Sequence, residues 1–369
     1  MNLSNTLFIL GAQDPEMVYI KNILKSVGAA IAHATVESKR VHAGNAYRAE
    51  GVDTFGNPNV LHHTEIVFIE CDLPGAFSAY DERDGYYYNF HRIDHHKPGH
   101  GGYDVPPQYF MNGSSIGQLY TMLVDKFGIE FEDSFPSDLA IGVGVMYESE
   151  QGWYVSNENT GMIYTIPYDH VLAAAADHCP AAAYQNECPD VSPDNLMEWR
   201  MITRASFQGL SAPELLDTVQ NTVQQLEHRV QDLVRIHGEL PGHVLSVPEH
   251  LQKDTLPELP EAALRLGIAV EAQVSDRDGR KKRVLMGNTT PKIVEEWMNA
   301  YKNMGCEVYG NPTRGYAGAY FELSQEELQK FAQLRARANM SLEAGISHEV
   351  VVTRDDEGNL KLDEVYIGA

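Results

Sequence analysis

Asp94-His95-His96 stands in the run Phe-His-Arg-Ile-Asp-His-His-Lys-Pro-Gly. A carboxylate followed by two imidazoles offers oxygen and nitrogen ligands to Mn²⁺, Zn²⁺ or Fe²⁺. Ile93 and the apolar stretch before it suggest a strand edge, and Lys97-Pro98-Gly99 breaks regular structure immediately afterwards. Alone, the tripeptide reads as readily as a polar surface turn. It gains weight because other acidic residues follow apolar, strand-like runs: Asp14 after TLFIL, Asp72 after EIVFIEC, and Asp177 after LAAAA.

The elements that would position these residues are legible as alternating patterns. Thr6–Leu10 reads as a buried strand ending at Gly11, followed by a helix over Glu16–Val27. Ala29–Thr35 and Glu65–Cys71 read as further strands, and another leads to Asp94. Ser115–Phe127 reads as a helix, and Asp138–Val145 is an apolar segment of either type. Strands alternating with helices predict a parallel, doubly wound α/β sheet, whose ligands sit outside the carboxyl ends of the strands. Asp14, Asp72 and Asp94 all fall just after predicted strands.

Three regions are expected: a metal-binding catalytic domain over 1–208, a linker helix and hinge over 209–244, and a smaller α/β domain over 245–369. Ser211-Ala-Pro-Glu214 resembles a capping box opening a helix to about Ile236, with Leu215, Val219, Val223, Leu226 and Val230 on one face. The last region reads as strands at Gly267–Val274, Arg283–Met286 and Glu307–Tyr309, with helices at Lys292–Met304 and near 324–337. A hairpin pairing Glu349–Thr353 with Lys361–Ile367 closes the pattern.

In order, GAQDPEM (11–17), Asp72, Asp94-His95-His96 and Asp177 resemble the motifs of the DHH phosphoesterase superfamily. The resemblance covers about residues 5–205. It reaches 245–369 if GNPTRGYAGAY (310–320) is similar to the substrate loop of the DHH-associated C-terminal domain. It implies metal ligation by Asp14, Glu16, Asp72, Asp94, His95 and Asp177, with Mn²⁺ the expected ion and Mg²⁺ the alternative. Glu148 in MYESE competes with Asp177 for the last position. The family's first-motif His is absent, with Ala12 or Gln13 in its place, and Glu16 replaces the second Asp.

Two divalent metals about 3.5–4 Å apart make water nucleophilic at neutral pH and neutralise phosphoryl oxygens. His95 or His96, where not ligating, could position substrate or protonate the leaving oxygen as the catalytic imidazole. Arg92, Lys97 and Arg314 are candidate phosphate clamps. Ser114 and Ser115 in NGSSIGQL, and Gly315 and Gly318 in the later loop, are candidate substrate contacts. Each has a plainer alternative: Asp14 and Ser114-Ser115 suit helix caps, Asp72 a turn, and the glycines a tight loop. His42, Asn45, Tyr47 and Arg48 suit substrate contacts or a homodimer surface, without a motif to place them.

The resemblance implies a phosphoesterase acting on a short oligonucleotide, a cyclic or linear dinucleotide, or a nucleoside bisphosphate, held between the two domains. The missing histidine keeps open a nucleotide-binding or regulatory protein with hydrolysis lost. An unrelated α/β protein with coincidental acidic turns is the third reading. Composition narrows the partners. With 28 Lys+Arg against 52 Asp+Glu, the net charge of −24 repels long nucleic acid. No apolar run approaches the roughly 20 residues that cross a bilayer, and the first residues lack a signal-peptide pattern, so a cytoplasmic protein without a membrane partner is expected. The four cysteines show no CxxC spacing and read as reduced thiols.

Overall fold

Thr6–Leu10 is too short and apolar for an exposed helix, and it buries completely as β1. The structure, a computed structural model, describes residues 2–42, 44–53, 63–74, 80–81, 86–132, 134–136, 144–148, 152–157, 160, 162–208, 211–237, 244–246, 258–275, 281–312, 315–320, 347–354 and 360–367. The fold is mixed α/β, and the chain divides into two units, Met1–Thr203 and Arg204–Ala369.

In the first unit, α1 (Pro15–Ser26) follows β1, and Pro15 stands in its first turn, where a missing N–H costs nothing. The sheet adds β2 (Ala30–Val36), β3 (Lys39–Arg40), β4 (Gly51–Val52) and β5 (Glu65–Ile69). Among the described residues, the strands β6 (Tyr80–Asp81) and β7 (Tyr86–Tyr87) pair with each other, and β8 (Asn89–Ile93) returns to the main sheet. Its order is β3-β2-β1-β5-β8, with β4 paired to β2. The run β2-β1-β5-β8 is parallel throughout. Leu10 registers with Ile69, and Ile69 with Ile93, so three carboxyl ends finish level. Leu7, Ile9, Ile66 and Phe68 build a core cluster on one face of this sheet.

Three short helical pieces follow: α2 (Phe110–Gly113), α3 (Ser115–Thr121) and a π-type turn over Met122–Lys126. The helix expected over Ser115–Phe127 therefore changes its winding halfway. A feature outside the sequence expectation comes next. The strands β9 (Ser134–Pro136), β10 (Gly144–Glu148), β11 (Gly152–Asn157) and β12 (Met162–Thr165) form a separate antiparallel sheet. Residues 137–143, most of the apolar segment left open above, lie outside the described residues.

The unit continues with α4 (Tyr168–His178) and α5 (Pro180–Tyr184), and α6 (Pro193–Gln208) runs across its boundary at Thr203. A 2.8 Å hydrogen bond joins Tyr120 Oη to His170 Nδ1, and burial pushes this imidazole down to about 4. The folded state therefore favours neutral His170, while the unfolded chain protonates below its ordinary value near 6.5. Stability from this group is complete above pH 6.5 and is lost as pH falls from there through 4. The loss should reach about 2–3 kcal/mol. Guanidinium unfolding at pH 7 and pH 4.5 should show it, and His170→Gln should flatten the difference.

In the second unit, α7 (Ala212–His237) presents Leu226 to a core shared with Leu245, Leu259, Val270 and Ala272. The helix expected as a linker thus packs as part of this unit. Its sheet holds β13 (Leu245–Ser246), β14 (Ala269–Ser275), β15 (Lys281–Gly287), β16 (Glu307–Asn311) and β17 (Tyr316–Tyr320), in the order β13-β14-β15-β17-β16. The helices α8 (Leu259–Arg265) and α9 (Pro291–Asn303) accompany it, and Trp297 and Tyr301 of α9 are fully buried with Leu285 and Ala319. The strands β18 (Ser347–Arg354) and β19 (Leu360–Ile367) pair Thr353 with Lys361, as the hairpin pattern predicts. Most of the expected hinge and the expected helix near 324–337 lie outside the described residues. Among the described residues, no helix is long and apolar enough to cross a membrane.

Candidate metal centre

The level strand ends are stitched beyond the last sheet residues. Gly11 N–H donates to Ile69 O at 2.9 Å, and Glu70 N–H donates to Ile93 O at 3.1 Å. A Cβ at Gly11 would meet Glu70 O at 2.4 Å, so only glycine admits this approach. Glu70 itself takes a left-handed conformation, φ 53°, which a side-chain-bearing residue adopts at a cost. The kink ends β5 abruptly and leaves the Glu70 carboxylate buried beside α3, where Ser115 Oγ donates to Oε1 at 2.8 Å.

Glu70, His95, His96 and Asp177 each bring a ligand-type atom into one group, all within 4.8 Å of one another. His95 and His96 leave the end of β8 with ring centroids 4.1 Å apart. His95 Nε2 lies 3.0 Å from Asp177 Oδ2. Ligand atoms about 2.1 Å from one ion and at right angles to it are about 3.0 Å apart. His96 Nε2 is buried without a hydrogen-bond partner, as is Glu16 Oε2 nearby, while Asp177 Oδ2 faces His95 Nε2. Buried polar atoms are normally satisfied, so this concentration of orphans marks a place for a cation.

Electrostatics agree with the geometry. Glu16 is raised well above the ordinary carboxylate range, first by burial and then by the charges of Glu70, Asp177 and Asp14. Burial also raises Glu70, with Asp14, Asp177 and Asp94 adding to it. Asp177 is lowered: burial opposes its charge, but its contacts with His95 outweigh that. Without a cation, such a group of carboxyls must retain protons; a divalent ion would replace them.

Asp177 departs from the strand-end expectation. It sits in the last turn of α4, because the Ala-rich run before it is strongly helix-forming. A carboxylate there opposes the helix dipole and calls for positive charge in front of it. The side chain of Glu148, the competing residue, lies outside the described ones.

Asp94 is fully buried and serves as a hub. Tyr47 Oη donates to both carboxylate oxygens, at 3.0 and 2.9 Å. His96 N–H donates to Oδ1 at 3.0 Å, and His96 Nδ1 lies 2.8 Å from the same oxygen. A carboxylate only accepts, so the His96 proton sits on Nδ1 and its Nε2 lone pair faces the group. His100 Nδ1 lies 3.1 Å from Oδ1 as well. Asp94 therefore orients imidazoles and stands outside the four-residue group, an outer carboxylate of the kind that fixes metal-ligating histidines.

The other sequence-singled residues fall at varied places. Asp14 caps α1, accepting from Met17 N–H at 2.7 Å, and its charge is felt at both Glu16 and Glu70. Glu16 Oε1 accepts from Ile116 N–H at 3.0 Å. Asp72 is not in the group; its carboxylate pairs with Arg92 at 2.8 Å, half exposed. Lys97 Nζ stands 3.7 Å from the Tyr47 ring centroid. Ser114 caps α3, and both it and Ser115 are fully buried. Gly315 adopts φ 70°, and its carbonyl accepts from Thr289 Oγ1 at 2.6 Å. The Tyr309 ring lies where a Gly318 Cβ would project. Arg314 lies outside the described residues.

Three residues were missed or left unplaced. Glu70 had a usable signal, being the first polar residue after EIVFI. Tyr47 was noted but had no partner in the sequence. Arg40 reaches Gly11 O at 3.2 Å and Gln13 Oε1 at 3.2 Å, placing a cation beside the Asp14 turn.

No family model matches the chain, and no curated protein matches it either.

Proposed function

We propose that the chain is a metal-dependent phosphoesterase of the DHH type, doubly wound in its first unit. Its substrate class is a small phosphorylated molecule: a short oligonucleotide, a cyclic or linear dinucleotide, or a nucleoside bisphosphate. The observation that carries this reading is the group Glu70, His95, His96 and Asp177 at the carboxyl edge of a parallel sheet, with His96 Nε2 unsatisfied. Mixed imidazole and carboxylate donors suit Mn²⁺ better than Mg²⁺, which favours oxygen alone.

A bound divalent ion would supply Lewis-acid charge at the phosphoryl oxygens and acidify an attacking water. The protein's own contribution is placement. Asp94 holds the His96 tautomer, Ser115 holds Glu70, and Ile116 N–H holds Glu16. Arg92, Lys97, His100 and Arg40 provide cationic or donor groups around this edge for a phosphate. A binding protein with hydrolysis lost is the second reading. It is favoured by Gln13, which occupies the first-motif turn and accepts from Arg40 instead of offering an imidazole.

The test is hydrolysis of bis(p-nitrophenyl) phosphate and a dinucleotide panel with added Mn²⁺, comparing wild type with Asp177→Asn. Turnover that requires Mn²⁺ and falls at least about 100-fold in the variant is expected. Stoichiometric metal without turnover on any substrate would favour the binding reading.

A further inference from the structure

We propose that Cys179 and Cys188 form a reversible redox pair whose disulfide clamps the junction between α4 and α5, directly after Asp177 and His178. Both are free thiols, and their Sγ atoms lie 3.0 Å apart. A disulfide needs about 2.05 Å, so closure asks about 1 Å of movement.

The approach is built by the backbone. Cys179 ends one helix and starts the next: its N–H donates to Ala175 O at 3.2 Å, and its carbonyl accepts from Ala183 N–H at 3.0 Å. The chain then returns through Asn186 and Asp190, both left-handed, at φ 59° and 61°. Asn and Asp tolerate that conformation better than other side-chain-bearing residues. Pro189 O accepts from the buried Trp153 Nε1 at 3.1 Å, tying the returning loop to the core beside Cys188. An open depression lined by Tyr168, Asn186, Cys188, Asp190, Ser192 and Asn195 borders this pair, and Cys188 itself is buried at its floor, so a small oxidant reaches it by a local opening of the returning loop.

The oxidant is a low-molecular-weight disulfide, RSSR. Cys188 thiolate attacks one sulfur, forming a Cys188–S–S–R bond and releasing RS⁻, which takes up the proton Cys188 lost. Cys179 thiolate then attacks Cys188 Sγ, forming the protein disulfide and expelling the second RS⁻, which takes the proton of Cys179. Two protein thiols are oxidised and one small disulfide is reduced to two RSH. Excess RSH reverses both steps, as suits a transient disulfide in a reducing compartment.

The experiment equilibrates the full-length protein across a series of reduced and oxidised glutathione. Samples are quenched by alkylation, digested and mapped by mass. The expected product at the oxidising end is the Cys179–Cys188 peptide pair, two hydrogens lighter than its dithiol, with Cys71 and Cys306 alkylated. Cys179→Ser should instead leave glutathione on Cys188, because the resolving thiol is gone. Amide exchange over 176–184 should slow in the oxidised wild type and not in Cys179→Ser. Wild-type Cys179 and Cys188 alkylated throughout, stable glutathione on wild-type Cys188, or exchange indifferent to oxidation would each overturn the proposal. These readouts concern the thiols and the junction, so they are decided whether or not the neighbouring group binds metal.

Discussion

Glu70→Gln is expected to weaken Mn²⁺ binding at least about 100-fold, whereas Asp72→Asn should leave it within about threefold. Glu70 contributes a donor to the four-residue group, and its carboxylate is buried with Ser115 as a fixed partner. Losing an outer partner of a metal ligand already costs about 10–100-fold, so neutralising a ligand itself should cost no less. Asp72 spends its charge on Arg92 at a half-exposed surface, where an ion pair is worth about 0–1 kcal/mol. Titration of chelator-treated protein with Mn²⁺ reads both variants. Equal losses in the two would return the second motif to Asp72.

The other large effect should come from Asp94→Asn, with turnover at saturating Mn²⁺ falling about 10–100-fold. The amide keeps the shape of the carboxylate but not the charge that holds His96 Nδ1–H and faces His100. His96 then loses its enforced tautomer. The Tyr47 hydroxyl, which donates to both oxygens, must also find a poorer acceptor. Tyr47→Phe should reproduce a smaller part of the defect, about tenfold, while leaving the carboxylate in place. Steady-state kinetics beside Mn²⁺ titration separate the effects. A defect that excess Mn²⁺ fully rescues in Asp94→Asn would make Asp94 a ligand instead of an orienting group.

The parallel sheet was readable because TLFIL and EIVFI are apolar runs buried almost throughout, and AAIAHAT is a third, partly buried run beside them. The helix after Asp14 announced itself through Asp-Pro-Glu. What the pattern hid was where a strand stops. Cys71 prolongs the apolar run, so the first acidic residue beyond it, Asp72, looked like the strand end. In three dimensions β5 stops at Ile69, and Glu70 turns left-handed into the site. Asp177 was found for the wrong local reason, since four alanines fit a strand end or a helix turn equally well until packing decides. Tyr47 lies 47 residues from the carboxylate it serves, and no local period records such a contact. The antiparallel sheet over β9–β12 interrupts the simple alternation of strand and helix, and the sequence expectation held no place for it.

The most direct test is the anomalous diffraction of full-length crystals grown with Mn²⁺, recorded across the manganese edge. One ion should appear within about 2.0–2.3 Å of a Glu70 oxygen, a His95 nitrogen, His96 Nε2 and an Asp177 oxygen, with Asp94 outside its reach. Full occupancy of manganese at any other place, with these four side chains unliganded, would contradict the metal centre and the hydrolytic function built on it.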